Sequence, residues 1–220
     1  MKAKNRFSKK TVLFALSGSI ALYKSCDLVR NLKAEGADVI CLMTKTAEKF
    51  VTPLTFQALS GHPVYTDPFS NDTDCPRTSI KQKDNMRGSG AAMTSKSSLS
   101  DFSNVGHGWA VLHTTLADKA DLILISPASA NLIARLASGM ADDIVTSAVL
   151  ASKAKVLVVP AMNDNMYAHP ITQENITKLK RIGYQFVPPI KGDLVCGRVG
   201  MGHIAENEQI LNSAYSFLKA

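Results

Sequence analysis

A single doubly wound α/β domain, a parallel sheet with helices on both faces, is the fold class that this sequence predicts, on three observations. Short, nearly unbroken apolar runs recur along the chain; stretches with apolar residues at helical spacing separate them; and the runs stop at Ser, Gly, Pro or Asn. Strands covered by helices on both faces are apolar throughout rather than alternating, which is the signature of a parallel sheet. With 220 residues and 45% hydrophobic content the chain is large enough for one substantial core.

The first run, "TVLFAL" at 11-16, ends at Ser17-Gly18-Ser19, after which Leu22, Cys26 and Val29 recur at helical spacing. Gly36 closes that helix and "ADVICLMT" at 37-44 supplies a second strand, so residues 11-44 form a βαβ unit. Two further strands are predicted in "DLILISP" at 121-127 and "KVLVVP" at 155-160, separated by the helical stretch "SANLIARLASGMADDIVTSAVLAS". The alternation continues through the helix "ITQENITKLKRIG", the strand "YQFVPP" and a closing helix near 206-219. Residues 70-107 break the rhythm: rich in Ser, Asn, Asp and Gly, they cannot bury enough apolar surface to offset the entropy of ordering, which predicts a long mobile insertion or a lid.

The net charge of +7 invites a nucleic-acid or membrane reading, but "MKAKNRFSKK" holds five of the 25 basic residues and none of the 18 acidic ones. Residues 1-10 are therefore read as a solvated basic tail, with residues 11-220 as the folded domain. No basic, aromatic-interleaved stripe points to nucleic acid. No apolar run reaches the ~18 residues of a membrane span, and the tail plus first strand continue into an amphipathic helix instead of a cleavage site, so a cytoplasmic location is expected. Cys26, Cys41, Cys75 and Cys196 lack CxxC spacing, which predicts neither a zinc site nor a disulfide framework; Cys26 and Cys41 sit among apolar neighbours and read as core.

Open α/β sheets bind ligands beyond the carboxyl ends of their strands. The strand ends here are "SGSIA", "MTKTA", "SPASAN" and "PAMNDN". Together they offer hydroxyls, amides and small residues with hardly any charge, which suits a neutral planar ligand with a phosphate tail better than a metal. "SGSIA" taken alone is equally a plain structural turn, and His113, opening a helix before the third strand, reads by itself as a structural histidine more readily than a functional one. Cys196 stands apart from the other cysteines because "KGDLVCGRVGMGH" reads as a Gly-rich loop, where a thiol is accessible enough to react or deliver a proton.

Three segments in order, "HTTLADKADLILISPASANLIARLASGMADD", "PAMNDNM" and "PPIKGDLVCGRVGMG", resemble the flavin-dependent cysteine decarboxylases, most closely the phosphopantothenoylcysteine decarboxylases of coenzyme A biosynthesis. The likeness covers residues 11-66 and 109-212. It implies a Rossmann-like or flavodoxin-like sheet and FMN at its carboxyl edge. The phosphate would lie near Gly18, Ser19 and Thr44, with Phe50, Ser129, Ala130, Asn131 and Ala161 also on the cofactor. It implies that Asn163 holds the substrate carboxylate, with Met162 and Val195 beside the substrate, that His113 is the catalytic histidine, and that Cys196 on a flap protonates an enethiol. The implied substrate is the small molecule phosphopantothenoylcysteine, first oxidised to a thioaldehyde so that the carbanion left by carbon dioxide is delocalised. A separate synthetase would supply it, and the implied assembly is a trimer or multiple of trimers with sites between subunits. Tyr167, Leu132 and His203 depart from residues common in the family. Rival readings are a peptidyl-cysteine decarboxylase, which has no need of Cys196, a non-enzymatic regulatory subunit on the same fold, which relies on acidic extensions, and a flavin prenyltransferase, which would lack the "PAMN" and Cys motifs.

Overall fold

The computed structural model describes residues 5-68, 112-193, 197 and 199-220. The expected insertion at 70-107, together with Val195 and Cys196, lies outside the described residues. Strands β1 (Thr11–Leu16), β2 (Asp38–Met43), β3 (Val64–Tyr65), β4 (Leu122–Ala128), β5 (Lys155–Pro160) and β6 (Gln185–Phe186) form one sheet in the order β3-β2-β1-β4-β5-β6. Every neighbouring pair is parallel. That order is the doubly wound arrangement, with its reversal between β1 and β4.

The apolar runs are explained by their two faces. Val12, Phe14 and Leu16 of β1 and Leu122 and Leu124 of β4 pack on helices α1 (Leu22–Ala34), α2 (Pro53–Ser60) and α8 (Asn207–Lys219), through Leu28, Phe56 and Ile210. Leu13, Ala15, Ile123 and Ile125 point the other way, onto α3 (Leu112–Lys119), α4 (Ala130–Ser138), α5 (Ile144–Ala151) and α7 (Pro170–Arg181), through Leu116, Ile133, Val145 and Ile176. Full burial of each such side chain contributes about 1.5–3 kcal/mol, so the period-2 division between two cores fixes register: a slip of one residue would exchange the faces.

Several elements differ from their sequence expectation. The helical stretch at 129-152 is two helices, because Gly139 at φ 71° caps α4 in the left-handed region and Asp143 opens α5 with a capping box to Thr146. "YQFVPP" contributes only the two residues of β6, since the prolines remove ladder donors. The expected Gly-rich loop is largely an antiparallel ribbon, β7 (Ile190–Asp193) with β8 (Val199–His203), a pairing that no alternation of apolar residues announces. Cys41 is fully buried, and burial pushes its thiol up to about 12, whereas Cys26 is only half-buried at the core's edge.

The expected basic tail is docked from Asn5 onward rather than solvated. Phe7 is completely buried and meets Tyr215 of α8 edge-on at 6.0 Å, its N–H donates to Glu35 O at 3.0 Å, and Arg6 pairs with Glu35. Lys10 donates to Asp121 at 2.8 Å. One aromatic anchor and two carboxylate partners far away in sequence convert a charge run into structure.

Candidate functional site

The tips of β1, β4 and β5 are tied together by side chains that the turns present. Ser17 is buried where β1 ends; its Oγ donates to Pro127 O at 2.8 Å and accepts from the Ser129 N–H at 2.9 Å. Ser25 of α1 donates to Ser126 O at 2.8 Å. The Ser126-Pro127 peptide bond is cis. Across the same crevice Ser19 Oγ donates to Ala161 O at 3.3 Å, and the Ala161 N–H reaches Ala128 O at 3.1 Å. Gly18 is required by a close approach: a Cβ there would stand 2.4 Å from Thr46 Cγ2. Thr44, at the end of β2, is buried and accepts from the Ala47 N–H at 3.3 Å, which starts a single 3-10 turn.

These tips surround a cavity of about 480 Å³ at the point where the strand order reverses, where open α/β sheets place ligands. Gly18, Ser19, Thr44, Ser129, Ala130, Asn131, Ala161, Met162 and Asn163, all singled out from the sequence, line it. Ser129 caps α4, accepting from the Leu132 N–H. Asn163 caps the short helix α6 (Asp164–Ala168): its Oδ1 accepts from the Asn165 N–H at 3.0 Å and the Met166 N–H at 3.4 Å. With the oxygen so engaged, the NH2 is the donor end of this amide.

Two expected residues stand apart from the cavity wall of the single chain. Phe50 is 47% exposed at the end of the 3-10 turn, and His113 sits half-buried in the first turn of α3. The His113 Nδ1 is buried and has no hydrogen-bond partner among the described residues. The structure also adds Lys24 and Arg135, which the sequence reading passed over, and brings in His203, noted there only as a departure from the family. Lys24 of α1 and Arg135 of α4 bring charge to a wall expected to be nearly neutral, His203 of β8 adds an imidazole, and Ile20, Tyr23 and Met166 form an apolar lip, each about half exposed or more. Lys24 stands in the first turn of α1, and no motif of the sequence announces it.

Arg135 is spoken for by Asp142, by Asp143 at 2.8 Å and by Thr146 at 3.3 Å. Burial opposes its charge, but the Asp143 and Asp142 carboxylates outweigh that and hold the guanidinium above its usual pKa; in return Arg135 lowers the Asp142 carboxyl. The ribbon closes the remaining side. The Met162 N–H donates to Gly202 O at 3.2 Å, and β8 passes so near the Asn163 loop that a Cβ on Gly202 would lie 2.1 Å from Met162 O and one on Gly200 2.8 Å from Asp164.

A family model described as Flavoprotein matches residues 1-219. The chain is 40% identical over 207 residues to the Coenzyme A biosynthesis bifunctional protein CoaBC of Bacillus subtilis, covering 94% of this chain and 43% of that protein. It thus spans less than half the length of the bifunctional relatives it matches. It is also 40% identical over 204 residues to a probable phosphopantothenoylcysteine decarboxylase of Streptococcus mutans, covering 92% of this chain and 95% of that one. Among solved structures, a cysteine-to-serine PPC decarboxylase mutant complexed with pantothenoylaminoethenethiol superposes with a TM-score of 0.72 at 28% identity, covering 96% of this chain and all of that one. The FMN binding protein AtHal3 superposes with a TM-score of 0.68 at 29% identity, covering 96% and 97%. The cavity fits a flavin by its own chemistry: uncharged N–H and O–H donors at the strand tips, small residues where a flat ring would lie, and, among the described residues, no carboxylate, cysteine and histidine cluster that would hold a metal. A doubly wound sheet, a cavity at its reversal point and a family model spanning nearly every residue converge on one assignment: the chain belongs to the Flavoprotein family.

Proposed function

We propose that this protein is an FMN-dependent decarboxylase that converts 4'-phosphopantothenoylcysteine to 4'-phosphopantetheine, a carboxy-lyase step of coenzyme A biosynthesis. The observation that carries the reading is the convergence of Ser17–Ser19, Ser129–Asn131 and Ala161–Asn163 on one cavity of about 480 Å³. The near full-length likeness to the Streptococcus mutans protein supports the same substrate.

FMN held in that cavity would supply the two-electron acceptor and donor that the oxidation of the thiol-bearing carbon and the later reduction need. The residues of the chain bind and orient. Gly18, Ser19 and Thr44 lie where the flavin phosphate would meet backbone and hydroxyl donors, and Ser129, Ala130, Asn131 and Ala161 border the space for the ring and ribityl chain. Asn163 donates its amide N–H to the substrate carboxylate, with its oxygen pinned by the α6 cap. An uncharged donor holds the carboxylate without a buried ion pair, which departing carbon dioxide would otherwise have to break. Met162 packs beside it, Val195 and Cys196 act from the segment that joins β7 to β8, and the Cys196 thiol delivers the proton that completes phosphopantetheine.

His113 acts as the base or orienting group, reaching a cavity completed by a neighbouring copy. The apolar lip of Ile20, Tyr23 and Met166 supports a homo-oligomer, a trimer or multiple of trimers. The proposal includes a cytoplasmic location and a separate synthetase that makes the substrate. Purified protein is expected to be yellow and to release carbon dioxide from phosphopantothenoylcysteine. A preparation that FMN cannot reconstitute, or one that is yellow yet inert toward that substrate, overturns the reading. Cys196→Ser is expected to stop the conversion before phosphopantetheine; full turnover by that variant removes the proton-donor role.

A further inference from the structure

Helix α6, which presents Asn163, has no anchor in the core. It is five residues long and none of them is buried, so hydrogen bonds at its two ends must set its place. At its start, Asn163 Oδ1 accepts from the Asn165 and Met166 N–H groups. At its end, the chain turns at His169 straight into α7. There Gln173, in the first turn of α7, donates from Nε2 to Tyr167 O at 2.5 Å, so a carbonyl that α6 leaves open is satisfied by the next helix. Helix α7 is itself firmly seated, with Ile176 and Leu179 buried in the core that holds Ile133 of α4.

One side chain caps that seated helix at the joint. His169 Nδ1 accepts from the Ile171 N–H at 3.3 Å; Pro170, between them, has no N–H, so this is the first donor that α7 presents. Accepting requires a neutral ring with its proton on Nε2. A protonated ring has no acceptor and would set a positive charge against the positive end of a twelve-residue helix. The charged or titratable side chains on the elements that meet there are Asp164 and Tyr167 of α6, Glu174 of α7, Arg135 of α4 and His203 of β8. Among the described residues none of them pairs with the His169 ring.

We propose that His169 is a positioning residue for the decarboxylation: its neutral imidazole caps α7, Gln173 passes that hold to α6, and α6 keeps the Asn163 amide aimed at the substrate carboxylate. Protonating the ring therefore loosens the grip on the substrate. The inference rests on the decarboxylase reading above and deepens it by naming what holds the carboxylate donor in place and makes it sensitive to acid. Histidine is the side chain whose ordinary titration falls between about pH 5 and 8, so the cap is present at the alkaline end of that window and is lost as pH falls through it. Asparagine caps a helix as well and does not titrate, which makes His169→Asn the variant that keeps the cap and removes the proton.

The FMN-loaded chain and its His169→Asn, His169→Ala and Gln173→Ala variants are compared in decarboxylation of phosphopantothenoylcysteine at about pH 8 and about pH 6, with KM and kcat read separately. Measured against His169→Asn, which cancels the titration of the substrate and of other groups, the native KM is expected to rise about three- to tenfold toward the lower pH, the worth of a helix cap, with kcat changed less. His169→Ala should carry the raised KM at both pH values. Gln173→Ala should do the same, because it cuts the link between the two helices. Amide exchange without substrate, corrected for its intrinsic pH dependence, gives a second reading: residues 164-168 are expected to exchange faster at the lower pH in the native protein and not in His169→Asn. The same pH dependence of KM in the native protein and His169→Asn overturns the proposal. So does faster exchange confined to α7 with residues 164-168 unmoved, since His169 would then be a cap and nothing more. If the native protein decarboxylates no cysteine substrate yet shows the His169-dependent exchange in α6, the decarboxylase reading fails and the coupling of His169 to Asn163 stands.

Discussion

Gly202→Ala perturbs a point where the β7-β8 ribbon and the Asn163 loop touch backbone to backbone. The added Cβ would lie 2.1 Å from Met162 O, against the roughly 3.3 Å at which carbon and carbonyl oxygen normally meet. The two backbones must therefore separate by about 1 Å. The Met162 N–H···O Gly202 bond, already 3.2 Å, cannot persist at that separation. Losing it costs about 1 kcal/mol and residual overpacking about 1–3 kcal/mol more, so the variant is expected to be about 2–4 kcal/mol less stable. For a chain of this size that is a fall in Tm of about 5–12 °C by scanning calorimetry. Flavin affinity, followed by quenching of flavin fluorescence, should weaken alongside, because Ala161 and Met162 form the wall that moves. Gly192→Ala is the control: its Cβ would meet only a side chain at 3.0 Å, which can give way, and its Tm should fall by less. A Gly202→Ala protein with Tm within about 1 °C of native and unchanged flavin affinity would refute the reasoning that this contact joins ribbon and site.

Ser17→Ala leaves the half-buried Ser129 N–H without its partner, while the buried Pro127 carbonyl keeps the Ser17 N–H at 3.3 Å, and is expected to cost about 1–3 kcal/mol in urea unfolding, with weaker flavin binding as the β1 and β4 tips part. Phe7→Ala removes a fully buried ring and should cost about 3–5 kcal/mol by the same measurement; a loss under 1 kcal/mol would mean that residues 5-10 behave as a tail after all. Asn163→Asp keeps a good helix cap but loses the N–H donor, so stability should hold while decarboxylation falls by about a hundredfold or more, read by product formation under saturating flavin. Burial raises the Asp121 carboxyl, but the bonds from Lys10 and the Thr11 N–H outweigh it and leave its pKa below the usual value. Its stabilisation is thus full above the unfolded carboxyl's pKa, about 3.9, and lost as pH falls through the lower folded value. Asp121→Asn should flatten the acid limb of stability against pH in that window, and an unchanged limb would show that the pair contributes nothing.

Much of the site was legible because its parts are local. The apolar runs at 11-16, 122-128 and 155-160 announce strands buried on both faces, and each is followed directly by the turn that carries its donors, so Gly18, Ser19, Ser129 and Asn163 could be named before any coordinates. The position of the cavity follows from that pattern, since a parallel sheet that reverses its order leaves a crevice at its carboxyl ends.

What sequence could not supply are contacts between residues remote along the chain. Lys24 and His203 are 179 positions apart, Ser19 and Ala161 142, and Gly202 docks on Met162 through a backbone bond that no side-chain pattern encodes. Phe7 in a run of basic residues reads as solvated until Tyr215 and Glu35 are placed beside it. Periodicity reports which face of an element is buried, and turn residues report where it stops; neither reports which distant element arrives there. Only the closed packing of helices and ribbon on the sheet decided that a neutral set of strand tips would acquire a lysine, a histidine and an apolar lip, because those side chains reach the cavity from elements whose own sequences are satisfied without it.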